Sequence, residues 1–131
     1  DELVAFCRET RVGGKRLSSD PLVEDKLADL AVDFEVLKVL QHEELWVAEK
    51  GLEPPMAGSL GPLLVKEFHP RFARVALEIL GPLGHLHEGS PGALLRGRFN
   101  KVFLQSGGTH AGGTPQLKRM LIATRALGLP R

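Results

Sequence analysis

Residues 20–51 read DPLVEDKLADLAVDFEVLKVLQHEELWVAEKG, and this stretch decides the fold class. Val23, Leu27, Leu30, Phe34, Leu37 and Leu45 recur at three- and four-residue steps, with a gap near Gln41. Side chains at that spacing share one face of a helix, so the pattern predicts a long α-helix from Leu22 to about Glu49. Its ends are local signals. Asp20 can cap the first turn, and Pro21 suits the first helical position, where no backbone donor is needed. Gly51 stops the helix and EPPMAGS, residues 53–59, makes the turn that follows.

On the N-terminal side, DELVAFCRET (1–10) is a short helix with Leu3, Phe6 and Cys7 together. RVGGKRLSSDP (11–21) is a loop carrying Arg11, Lys15 and Arg16. On the C-terminal side a third helix is predicted from Ser59 or Leu60 to Leu80, with Leu64, Phe68, Val75 and Ile79 inward. Pro70 lies inside it and removes a backbone donor, so a kink or a break is expected near His69. GPLGHLHEGSPG (81–92) is a loop. LLRGRFNKVFLQS (94–106) reads as a fourth helix with Leu95, Phe99, Val102 and Phe103 as its face. After GGTHAGG (107–113), a last helix runs from Pro115 to about Ala126. No alternating pattern marks a strand and no repeat is present. The expected fold is all-α, an antiparallel four-helix bundle with a kinked or broken third helix.

The bulk composition bounds the function. At 131 residues the chain is expected to be a single domain (1–131) that buries roughly two-thirds of its unfolded surface. A hydrophobic content of 43% and a charged content of 25% suit a water-soluble globular protein. The net charge of +1 gives no electrostatic case for nucleic acid or an anionic membrane as partner. No apolar run approaches the roughly 20 residues needed to span a bilayer. The charged first residues do not look like a secretory leader, and Cys7, the only cysteine, fits a reducing compartment, so a cytoplasmic location is expected. The first residue is Asp1, which suggests a piece of a longer chain.

Few residues carry obvious chemistry. Of five histidines (His42, His69, His85, His87 and His110), His85 and His87 stand two apart in a loop with no third ligand at metal-site spacing. No metal site is expected. Ser90 and Ser106 lie in glycine-rich loops without the strand-to-helix elbow of a serine nucleophile. Lys118, Arg119 and Arg125 make the last helix basic, a pattern that suits the dipole of a helix C-terminus. Two glycine-bearing helix ends remain. EILGPLG (78–84) closes the third helix and GGTPQLKR (112–119) opens the last. In the second, Thr114 is a good cap, Pro115 fits the first position, and Gly112–Gly113 would let an anion approach the free N–H groups of the helix start.

The order KLAD, ALEILGPLG, LLRGRF and GGTPQLKRMLIATRALGLPR resembles the C-terminal helical domain of acyl-CoA dehydrogenases over nearly the whole chain. ALEILGPLG resembles the family's A-L-Q-I-L-G-G-x-G, and GGTPQLKRMLIA its E-G-T-S-Q-I-Q-R-x-x-I-A. RVGGKRLSSDPLVEDKLADL is similar to R-x-x-F-G-x-x-x-x-x-F-Q-x-x-x-x-K-L-A-D-M. The resemblance implies oxidation of the α,β carbon–carbon bond of an acyl-CoA thioester. In such enzymes a carboxylate takes the α-proton while hydride passes from the β-carbon to the flavin of FAD.

The resemblance also implies a homo-oligomer, dimer or tetramer, in which this bundle forms the core and FAD lies between domains and subunits. Position by position, Glu78, Ile79, Leu80, Gly81 and Pro82 fall on the segment that meets the FAD of the adjoining subunit. Thr114, Pro115, Gln116 and Leu117 fall on the helix start that contacts the flavin. The flavin-binding arginine aligns at Thr10, and Arg11 beside it is expected to serve, with Arg8 as the alternative.

The departures are specific. The usual catalytic glutamate falls at Gly112, so no catalytic residue is expected in this chain. The family glutamines fall at Pro21 and Glu78, and a paired glycine at Pro82. Glu78 brings a negative charge toward a pyrophosphate unless a cation intervenes. The isolated chain is therefore expected to be inert and to hold FAD weakly or not at all. The alternatives are a non-catalytic paralogue that serves assembly, or a helical oligomerisation module whose glycines are only punctuation.

Overall fold

The computed structural model describes residues 1–53, 55–106 and 112–130. Most of them are helical, as an all-α class requires. The main elements are α1 (Glu2–Glu9), α2 (Pro21–Glu49), α3 (Leu60–Leu80), α4 (Arg98–Ser106) and α5 (Pro115–Leu121). A π-helical turn, Ile122–Ala126, continues α5.

The starts of α2 and α5 are where the local chemistry places them. The Asp20 carboxylate accepts from the Leu22 N–H at 2.9 Å and the Thr114 hydroxyl from the Leu117 N–H at 3.2 Å, each with proline next in sequence. Of the kink or break expected at Pro70, the break does not occur, and α3 runs as one helix through it. It is the element that touches α2, α4 and α5. Packing on three sides holds a helix whose proline leaves one carbonyl without its usual donor.

The core gathers Leu3 and Cys7 of α1, Val23 of α2, Ala76, Leu77, Ile79 and Leu80 of α3, and Phe99 of α4. On α3 the fully buried face includes Leu63, Ala73, Ala76 and Leu77, while Leu64, Phe68 and Val75 are half-buried. The stripe expected on α2 holds only in part. Val23 and Leu30 are buried and Leu27 and Leu37 half-buried, but Phe34 and Leu45 are largely exposed.

Two expectations are corrected. Residues 11–16 are not a plain loop. Arg11–Val12 (β1) and Lys15–Arg16 (β2) pair antiparallel, joined by Gly13 and Gly14 at φ 57° and 81°. Two successive left-handed residues make the turn whose twist suits a hairpin, and two glycines supply it without strain. The fourth helix begins at Arg98, not Leu94. Leu95, Arg96 and Gly97 are all left-handed, at φ 48°, 58° and 68°, so the chain turns sharply before α4 begins.

Candidate functional site

The residues singled out from the sequence fall into two groups, at different places on the molecule. Lys26, near the start of α2, donates to Glu78 at 2.8 Å, which sets the start of α2 beside the end of α3. The hairpin bearing Arg11 precedes that start, packed on α1. Arg11 and Glu78–Pro82 therefore lie toward one end. α5 sits elsewhere along α3, because Arg119 pairs with Glu67. Glu67 and Gly81 are fourteen residues apart on one helix, which is roughly 20 Å at 1.5 Å per residue.

At the first end, Ile79 and Leu80 are buried in the core, and Glu78 and Pro82 are exposed. Gly81 ends α3 at φ 66°, with open space where a Cβ would stand. The Lys26 hydrogen bond and charge, helped by Arg74, hold the Glu78 carboxyl below its ordinary range. The cation that this carboxylate needed is therefore supplied from within the chain. Arg11 is exposed and its guanidinium donates to the Gly14 carbonyl at 3.0 Å, bracing the hairpin turn. Arg16 stands directly opposite Arg11 in the ladder, so two cations are held side by side.

At the second end, Gly112 and Gly113 are both left-handed, at φ 74° and 91°. Gly112 has open space around it, whereas a Cβ on Gly113 would come within 3.1 Å of the Leu117 side chain. The helix start offers fewer donors than its sequence suggested. Pro115 has none and the Leu117 N–H is taken by Thr114. Gln116 is left as the first-turn N–H with no partner among the described residues. Gln116 and Leu117 are exposed, and Thr114 and Pro115 half-buried. His110 lies outside the described residues, as does most of the GGTHAGG loop. His85 and His87 are exposed. No group of three His, Cys, Asp or Glu among the described residues could hold a metal.

The sequence did not reveal a broad concavity between the helices. A groove of about 1020 Å³ runs between α1, α2, α3 and α4, lined mainly by apolar side chains, including Leu30, Phe34, Phe68, Phe72, Phe99 and Val102. Its phenylalanines form a chain, with ring centroids 6.4 Å apart for Phe34–Phe68, 5.6 Å for Phe68–Phe72 and 5.7 Å for Phe72–Phe99. None of the sequence-derived site residues lines it. The available signal was the four-residue step from Phe68 to Phe72, which marks a shared helix face.

The family model for the acyl-CoA dehydrogenase C-terminal domain matches residues 1–127. The chain belongs to that family. Among acyl-CoA dehydrogenases, it is 35% identical over 128 residues to acyl-CoA dehydrogenase FadE26 of Mycobacterium tuberculosis (strain ATCC 25618 / H37Rv), covering 91% of this chain and 31% of that protein. It superposes on a chain in the crystal structure of the ChsE4–ChsE5 complex from Mycobacterium tuberculosis with TM-score 0.89 and 32% identity, over 99% of this chain and 34% of that one. The crystal structure of an FAD-dependent dehydrogenase shares the fold, at TM-score 0.83 and 22% identity, over 98% of this chain and 33% of that one. The chain thus spans about a third of the length of the acyl-CoA dehydrogenase relatives it matches. No helix among the described residues is long and apolar enough to cross a membrane.

Proposed function

We propose that these 131 residues form one domain of a longer FAD-dependent acyl-CoA dehydrogenase, folded as an antiparallel four-helix bundle at the core of a cytoplasmic homo-oligomer. The observation that carries this reading is the family match across residues 1–127, which includes both glycine-bearing helix ends. The intact protein oxidises the α,β bond of an acyl-CoA thioester, with FAD accepting the hydride.

In this reading each end serves a different FAD. Arg11 and Glu78–Pro82 face the cofactor of a neighbouring subunit, and Thr114–Leu117 face the cofactor of the same chain. Fit is partial. Gln116 offers its N–H and Gly112 open space, while Glu78 arrives with its charge already balanced by Lys26. The base that takes the α-proton comes from outside this polypeptide, because Gly112 has no side chain at the usual position. The rest of the longer chain covers the phenylalanine-lined groove.

A second reading is favoured by Gly112 itself: a paralogue without a base, retained for assembly. One experiment separates the two. The full-length parent is purified and its visible spectrum recorded before and after addition of acyl-CoA substrates. A bound yellow flavin that bleaches supports the enzyme, and a flavin that stays oxidised against every acyl-CoA tried supports the paralogue. A colourless parent that takes up no FAD contradicts both the cofactor and the site residues named above. The 131-residue chain alone is expected to come through desalting without flavin.

A further inference from the structure

Asn100 is a buried amide without a partner. It sits in the first turn of α4 with 6% of its surface exposed, and its side chain makes no hydrogen bond among the described residues. Burying an amide unpaired is costly and native proteins leave few such groups, so each one calls for an occupant. Neither polar atom of this amide is sealed from solvent. Asn100 lines a cleft of about 310 Å³ together with His87, Glu88, Lys101, Leu104 and Gln105. One water takes about 30 Å³, so the cleft has room for a small ligand and not merely a bridging water.

The turn before α4 builds this cleft. Leu95, Arg96 and Gly97 are left-handed in succession. They bring Gly97 against the 86–88 segment, where a Cβ would stand 2.5 Å from the Glu88 nitrogen and 2.9 Å from the Leu86 carbonyl oxygen. That approach holds His87 and Glu88 beside the start of α4. Two non-glycine residues persist in this backbone region only where their surroundings hold them, and such strain gathers at ligand sites.

Charge selects the ligand. Lys101 donates to Glu88 at 2.9 Å, and both side chains are more than half exposed. Lys101, with Arg96 and Arg98 at longer range, holds the Glu88 carboxyl below its ordinary range. Arg96 and Arg98 also share Glu2, so three cations face two carboxylates here. Residues 89–131 add no carboxylate side chain of their own. The Asn100 and Gln105 amides and the His87 ring offer N–H donors beside the Lys101 ammonium. An exposed ion pair is worth little, so an incoming anion can take the place of Glu88.

We propose that this cleft binds a small oxyanion, a phosphate or a carboxylate, between the Asn100 amide and the Lys101 ammonium. Glu88 is the internal competitor that such a ligand displaces. None of the residues placed toward FAD lines the cleft, so the site stands apart from the enzymatic reading.

The test uses the full-length parent with FAD and coenzyme A in excess, so that any phosphate pocket belonging to those ligands is filled. Isothermal titration calorimetry follows inorganic phosphate in one arm and acetate in the other, with chloride as control. At least one arm is expected to saturate at one anion per chain, and the tighter arm tells phosphate from carboxylate. Lys101→Met and Asn100→Leu are each expected to weaken that binding about tenfold, through the loss of a charged or buried hydrogen bond. Glu88→Gln is expected to tighten it several-fold, because the competitor loses its charge. A Lys101–Glu88 pair that only braces the loop gives no such gain. Circular dichroism checks that the variants fold, and should the buried Asn100→Leu fail, the exposed Lys101 and Glu88 carry the test. No saturable heat in either arm, binding unchanged in a folded Lys101→Met or Asn100→Leu, or binding that Glu88→Gln leaves equal or weaker would each overturn the proposal.

Discussion

At Gly97 the backbone is left-handed and already tight, since a Cβ there would lie 2.5 Å from the Glu88 backbone nitrogen and 2.7 Å from the His87 carbonyl carbon. Neither neighbour is the movable end of a side chain. Gly97→Ala combines the cost of a left-handed alanine with overpacking against main chain, and is expected to destabilise by roughly 3 kcal/mol. The midpoint of urea unfolding checks it. The neighbouring Leu95 and Arg96 tolerate the same backbone region as ordinary residues, with Arg96 and Arg98 both reaching Glu2, at 3.9 and 2.7 Å. Glu78 supplies the pH prediction. Its carboxyl titrates below the usual range because Lys26 stabilises the charged form, as Lys101 does for Glu88. A lowered folded value means that the unfolded chain binds the proton first as pH falls. The stabilisation is then present above about pH 4.5 and lost as pH drops through the lower folded value. Lys26→Met is expected to return the Glu78 titration, followed by carboxyl NMR, toward the ordinary glutamate range. Both pairs are exposed, so added salt should shrink the shift in the unaltered chain.

The two best-defined helix starts, at α2 and α5, use the same device of a capping oxygen followed by proline. Asp20→Ala and Thr114→Ala each remove one side-chain acceptor from a first-turn N–H, and each is expected to cost about 1 kcal/mol. Unfolding curves should shift their midpoints while keeping their slopes. Asn at either position should recover most of the loss, because it supplies the same acceptor. Such starts were legible in the sequence because a cap acts over two or three residues. The start of α4 was not. Phe99 and Val102 do carry the expected spacing, but Leu95 and Arg96 take a left-handed backbone, which no local pattern records. The hairpin of residues 11–16 was within reach of the sequence. Its paired glycines are the signal, while two-residue strands leave no alternation to see. α3 shows tertiary contact overriding a local breaker, as Pro70 remains inside a helix packed on three sides.

Across the whole molecule, periodicity told which residues are apolar but not which apolar face meets a neighbour. Phe34 and Leu45 share the spacing of Leu30, yet they are 53% and 60% exposed. The candidate site was legible as motifs, since glycines and caps are visible in order along the chain. The placement of those motifs on the helices was not, because the Arg119–Glu67 and Lys26–Glu78 pairs join residues 52 apart. The uncovered length of α2 opens the phenylalanine groove, and this exposure is measurable. Phe34 keeps 53% of its surface exposed there, and it continues the aromatic row of Phe68, Phe72 and Phe99. An apolar concavity of this size accepts a fluorescent hydrophobic dye, whereas scattered surface leucines do not. The 131-residue chain is therefore expected to bind such a dye, and Phe34→Ser to weaken that binding several-fold. Because Phe34 is half out of the core, its replacement should leave helical content and unfolding midpoint nearly unchanged. The full-length parent, with the groove covered, should bind little dye per copy. Strong dye binding by the folded parent would mean that the groove remains open in the assembled protein.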